Sequence, residues 1–379
     1  MPSGGQSDGR GLRWWRLQSL STLQLIGSVV LILTAPVVGW VVDRWGVRLP
    51  GCLGLAALGA GYLVLSASGS SFLLYAVLYT AMVALASPST PVSFTRAVNE
   101  RFDRARGVAL GISLTFAGVV VYLVPVILGT TLASDWRTGF RWMGAAIIAA
   151  AVIAFVLMPR SHGRSAAVGS HAAAPRASIR PFLGRLLFAR LSIAYLALAL
   201  GIGWVPLLLV ALLQDGGYSA GSAASAASLI GLTLIAARFG IGILVDRLFA
   251  PRVGALMLVV AAAGLAALCW GGPAFGAAAA VSVGVALGAE VDLVGNPTSR
   301  YYPAEHYGRM FGVFYAVGMI GIGISPLLVT AVRNATGSYT VPLVISVCLL
   351  LFAAALLGTA PPFRGKREAA GRGKTVHSE

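Results

Sequence analysis

The sequence predicts an all-α polytopic membrane protein made of two similar halves, and three observations predict it. Hydrophobic residues make up 58% of the 379-residue chain and charged residues only 11%, against about 25% charged in a soluble globular domain. The apolar residues fall into eleven runs, each near the roughly 20 residues that cross a bilayer as a helix. A set of residues also recurs about two hundred positions on. Gly39, Asp43 and Arg44 return as Gly242, Asp246 and Arg247, offset by 203 residues, while Pro125 and the Gly111 fourteen residues before it return as Pro326 and Gly312, offset by 201. That is the sequence form of a parallel repeat whose halves are related by an axis along the membrane normal.

Taken in order, the runs are expected as helices near 20–42, 50–68, 71–95, 107–131, 139–158, 190–213, 219–245, 253–270, 274–297, 309–332 and 339–358. Hydrocarbon offers a backbone no water to bond, so each run must satisfy its own N–H and C=O groups by forming a helix. The first run ends in Gly39-Trp40-Val41-Val42-Asp43-Arg44-Trp45-Gly46-Val47-Arg48. An aspartate, arginines and a turn glycine between two spanning runs require a tight loop at the membrane face. Residues 159–189, rich in Ala, Ser, Gly and Arg, cannot bury a core and read as a linker. The domains are therefore an N-terminal bundle over 1–158, a C-terminal six-helix bundle over 190–358 and a polar tail over 359–379.

Orientation follows from the basic residues. If the Asp43 loop is cytoplasmic, only Arg10, Arg13, Arg16, Arg137, Arg141 and Arg333 of the 28 Lys and Arg lie on the other side, as the positive-inside bias requires. The C-terminus is then cytoplasmic, and the expected location is the plasma membrane, in a bacterium the inner membrane. The net charge of +16 is dispersed among loops rather than gathered on one face, which argues against a nucleic-acid partner. There is no nucleophile elbow and no phosphate-cradling glycine loop, so no enzyme is expected. Cys52, Cys269 and Cys348 fall inside apolar runs, and His162 and His171 stand in the linker without acidic or thiol neighbours. Neither set makes a metal site, and no cofactor is expected.

The ordered loop G-x-x-x-D-R-x-G-x-R, with its return at Gly242, Asp246 and Arg247, resembles the signature loop of the major facilitator superfamily. The resemblance implies a fold of two pseudo-symmetric bundles and secondary active transport by alternating access. It also implies a gating role for Gly39, Asp43, Arg44, Gly46, Arg48, Gly242, Asp246 and Arg247. The stretch Arg106-Gly107-Val108-Ala109-Leu110-Gly111 resembles the R-G-x-A-x-G that opens a helix in monocarboxylate porters and oxalate/formate exchangers. Ala237-Arg238-Phe239-Gly240-Ile241-Gly242 resembles their A-R-x-x-x-G segment, whose arginine meets the substrate carboxylate. Those porters place an aspartate four residues earlier, where this chain has Leu234. Gly288-Ala289-Glu290-Val291-Asp292-Leu293 resembles a segment of bacterial organic-anion transporters.

These segments imply a small, monocarboxylate-like organic anion as substrate, moved with a proton or a counter-anion by a monomer in the lipid bilayer. A multidrug or sugar facilitator, or a non-transporting sensor or remnant, is the alternative. Candidate substrate and coupling residues are Arg238, Glu290, Asp292, Asn296, Tyr122 and Trp204. An arginine in hydrocarbon costs about 2.5–3.5 kcal/mol even on lenient scales, so Arg238 needs an acid, a cavity or an anionic ligand. Glu290 and Asp292 lie on nearly opposite helix faces, and one of them is expected to neutralise it. Trp204 and Pro206 interrupt the run at 190–213, in the position of a cavity-lining helix. Finally, the superfamily has twelve helices. Two runs precede the Asp246 loop after the linker but only one precedes the Asp43 loop, so the resemblance implies that the family's first helix is missing.

Overall fold

The computed structural model describes residues 9–68, 71–89, 118–127, 135–158, 186–303 and 306–363. Among these residues twelve α-helices follow one another and no strand occurs. They are α1 (Gly9–Trp45), α2 (Arg48–Ser66), α3 (Phe72–Ala86), α4 (Gly118–Ile127), α5 (Trp136–Leu157), α6 (Leu186–Ile202), α7 (Val205–Asp215), α8 (Ala220–Arg247), α9 (Ala250–Gly271), α10 (Gly276–Tyr301), α11 (Tyr307–Thr336) and α12 (Thr340–Gly358). Nine helical segments among them are long and apolar enough to cross a membrane, and two shorter apolar stretches, Gln18–Thr34 and Gly118–Ile127, complete the set. These eleven match the eleven runs in the sequence. Two boundaries differ. Helix α1 begins at Gly9 rather than near 20, carrying Arg10, Arg13 and Arg16 into its first turns. The run at 190–213 is two helices, with Gly203 and Trp204 forming a turn between α6 and α7.

The α1–α2 connection is as short as a turn can be. Gly46 takes φ 74° there, a left-handed conformation that costs a residue with a Cβ about 1–2 kcal/mol. The chain reverses at once, and Arg48 caps the far end of its neighbour. Its guanidinium donates to the Phe155 carbonyl at 3.1 and 2.6 Å and lies over the Phe155 ring. Arg190 does the same for α12, donating to the Leu356 carbonyl at 2.7 Å and to the Thr359 hydroxyl. The last carbonyls of a helix have no partner within it, and a cation there also answers the helix dipole.

Small residues set the helix crossings. Gly59 of α2 and Gly144 of α5 face one another so closely that a Cβ on either would lie 2.8 Å from the other's carbonyl oxygen. In the bilayer no hydrophobic force drives helices together, so close approach at small residues does. Helices α1 to α3 and α5 pack among themselves, as do α6 to α12, whose contiguous buried core reaches from Leu191 to Leu357. Among the described residues, two close crossings tie α1 and α4 to the second set. Gly323 of α11 meets Ser28 of α1, and Gly118 of α4 meets Gly231 of α8. Outward faces carry Leu33, Trp142, Val156, Leu157 and Trp270, the apolar coat that acyl chains solvate.

At the start of α5, Asp135 is the N-cap. It accepts from the Thr138 hydroxyl at 2.6 Å and from the Arg137 amide at 3.1 Å. The Thr138 hydroxyl first, and the amides of Arg137 and Thr138 with it, hold the Asp135 carboxyl below the usual carboxylate range. The charged form is therefore the one the fold favours. Its stabilisation is fully present above the unfolded aspartate value near 3.9 and is lost as pH falls through the lower folded value. Asp135→Asn keeps a capping oxygen and removes the charge. Its melting temperature is expected to lie below wild type at pH 7 and to converge with it on acidification below about pH 4. A gap that persists unchanged at acid pH would contradict this assignment.

Candidate functional site

Three helices converge on a narrow recess within the apolar span. Tyr195 and Leu198 come from α6, Glu290 and Val294 from α10, and Phe314, Tyr315 and Gly318 from α11. Glu290 reaches it because α10 lies unusually close to α8. A Cβ at Gly288 would stand 2.8 Å from the Ala237 Cβ and 2.9 Å from the Leu234 carbonyl. That approach brings the Glu290 carboxylate within electrostatic reach of Arg238, one position after Ala237, and the Tyr315 hydroxyl lies in the field of the same carboxylate. Glu290 is thus a carboxylate in the field of Arg238, while the side chain of Asp292 lies outside the described residues. Phe314 is fully buried, with Tyr195 and Tyr302 against it at centroid distances of 5.4 and 5.9 Å.

The break between α6 and α7 packs against α11 and α12. Gly203 is required there: a Cβ would lie 2.8 Å from the Ile322 Cα of α11. The Ser325 hydroxyl donates to the Leu200 carbonyl at 2.6 Å, and the Trp204 indole N–H donates to the Ser346 hydroxyl at 2.9 Å. Polar groups loosened by the break are answered by neighbouring helices, as hydrocarbon demands.

Trp204, expected on a cavity-lining helix, is not among the residues that line this recess. Its side chain is 0% exposed and belongs to the core, because the break turns the indole toward α12 rather than toward the recess. Tyr122 is half-buried, and its backbone forms part of the α4–α8 crossing, close to Gly231. Asn296 sits past the recess on α10, and its buried Oδ1 has no hydrogen-bond partner among the described residues. Arg44 lies over the Trp40 ring, which meets Trp45 edge-on. Asp43, Asp246, Arg247 and Asp292 fall in α1, α8 and α10, but their side chains lie outside the described residues. So do the side-chain environments of Gly39 and Gly242, and residues 90–117 entirely. Tyr195, Phe314, Tyr315, Ser325 and Ser346 were not among the sequence candidates. The signal for Tyr195 was indirect: Pro297 strips a carbonyl of its donor and so requires one from elsewhere.

A sequence profile described as Major Facilitator Superfamily matches residues 15–326. The chain belongs to the Major Facilitator Superfamily. None of the curated proteins matches it. Membership makes this all-α, multi-pass chain a membrane transporter of the superfamily. A superfamily transporter works on a small molecule from within the bilayer, and the recess with Glu290 in its wall lies among helices long and apolar enough to span it.

Proposed function

We propose that this transporter carries a small organic anion of monocarboxylate type by alternating access, with Arg238 as the anion contact and Glu290 as the acid that faces it when no substrate is bound. The observation that supports the proposal is Glu290 lying in the field of Arg238 beside a recess inside the apolar span. Neither charge is tolerable alone in hydrocarbon. A substrate carboxylate can take the place of Glu290 on the guanidinium, and a proton or counter-anion then balances the released acid. In this reading the halves over 1–158 and 190–358 rock about the α1–α11 and α4–α8 crossings. The helix ends at Asp43 and Asp246 gate the cytoplasmic side, where the C-terminus also lies, and the working unit is a monomer in the inner membrane of a bacterium.

The test is Arg238→Lys in proteoliposomes offered a panel of monocarboxylates. Lysine keeps the charge but loses the planar two-pronged donor that matches a carboxylate. The expected result is a KM raised about tenfold for the transported anion. An unchanged KM, or transport confined to uncharged or cationic compounds, rejects the anion reading.

A further inference from the structure

Pro297 lies inside α10, seven residues past Glu290. A proline has no N–H, so the carbonyl four residues back loses its helical donor, and that residue is Leu293. Leu293 is buried, and a bare carbonyl at such a place is costly because no water can reach it. The missing donor arrives from another helix. The Tyr195 hydroxyl of α6 donates to the Leu293 carbonyl at 2.6 Å. The Tyr195 ring is itself buried, held edge-on against Phe314, so the hydroxyl cannot swing away without disturbing the core. The nearby Thr298 hydroxyl stays within α10 on the Val294 carbonyl and does not compete for Leu293.

We propose that Tyr195 is a positioning residue for transport: by supplying the donor that Pro297 removes, it pins the Glu290–Val294 stretch of α10 against α6 and sets the width of the recess. A proline-interrupted helix bends easily at the interruption, and without an outside bond α10 has no preferred bend there. Because Tyr195 and Val294 both line the recess, the bond joins two of its walls. Any swing of α10 about Pro297 that widens the recess must break it. The inference rests on reading the recess as part of the substrate path, but the bond and its role in α10 can be tested without transport.

The experiment is a double-variant cycle in lipid nanodiscs. Tyr195→Phe keeps the ring and removes only the donor. Pro297→Ala returns an N–H to the Leu293 carbonyl, so in its background the tyrosine hydroxyl has nothing to satisfy. Amide hydrogen exchange over Asn296–Tyr301 is expected to speed up roughly tenfold in Tyr195→Phe and to return to within about twofold of wild type when Pro297→Ala is added. Pro297→Gly serves as the second donor-restoring variant should alanine fold poorly. Effects that simply add, or no acceleration in Tyr195→Phe, would overturn the proposal. Transport supplies a separate arm: Tyr195→Phe should raise KM by a similar factor, with Pro297→Ala reversing it. Coupling in exchange together with a wild-type KM would leave the pinning of α10 standing and remove both the transport role of Tyr195 and the recess from the substrate path.

Discussion

Gly231→Val is expected to insert into the membrane normally and then fail to hold its two sets of helices together, losing transport. At the α4–α8 crossing a Cβ on Gly231 would lie 2.6 Å from the Gly118 carbonyl oxygen and 2.7 Å from the Val121 carbonyl carbon. These are backbone atoms in the opposing helix and cannot rotate aside as a side chain can. The crossing must open by more than an ångström, and close-packed interiors do not absorb such a change. Overpacking of this kind costs about 1–3 kcal/mol where side chains yield, and backbone against backbone belongs at the upper end. Gly240→Ala, on the same helix, is the control, because nothing lies within 4 Å of a Cβ there. Melting temperatures of the two purified variants decide the matter. Equal melting temperatures, or wild-type transport by Gly231→Val, would show that the crossing does not join the halves.

Arg238→Leu and Glu290→Gln should each impair the protein far more than the two together. If the two charges answer one another as proposed, either change alone removes a counter-charge that the other feels, and breaking a buried ion pair from one side costs about 3–5 kcal/mol. Removing both charges replaces the pair by neutral groups of similar bulk, a change that is often neutral. The double variant is therefore expected to recover folded yield and melting temperature to near wild type while remaining inactive toward the anion, because the carboxylate contact is gone. Additive losses in the double variant would mean that Arg238 and Glu290 answer different partners. Recovery of transport along with folding would mean that Arg238 serves only to neutralise Glu290.

Apolar length alone committed eleven stretches of this chain to helix, since a backbone in hydrocarbon has no other way to satisfy its polar groups. The turn at Gly46 was equally legible. Two spanning runs separated by a charged, glycine-bearing loop leave room for little else, and the glycine takes the left-handed conformation there. The recurrence of Gly39, Asp43 and Arg44 two hundred residues on pointed to the superfamily before any coordinates.

Which donor the Leu293 carbonyl would take, and that Glu290 would come into the field of Arg238, only the tertiary structure decided. Glu290 and Asp292 are about 200° apart around a helix of 3.6 residues per turn, so either could face α8 depending on how α10 is rotated about its axis. That rotation is set by where small residues let two helices touch, here Gly288 against Ala237 and Leu234. The same holds for Trp204. Its place at a break in the helix could be read from Pro206, but its burial toward Ser346 depended on α12 lying alongside. A backbone's need for hydrogen bonds is local and belongs to the sequence of one helix. The identity of the group that answers that need depends on the rotation and register of a second helix, which no single stretch of sequence encodes.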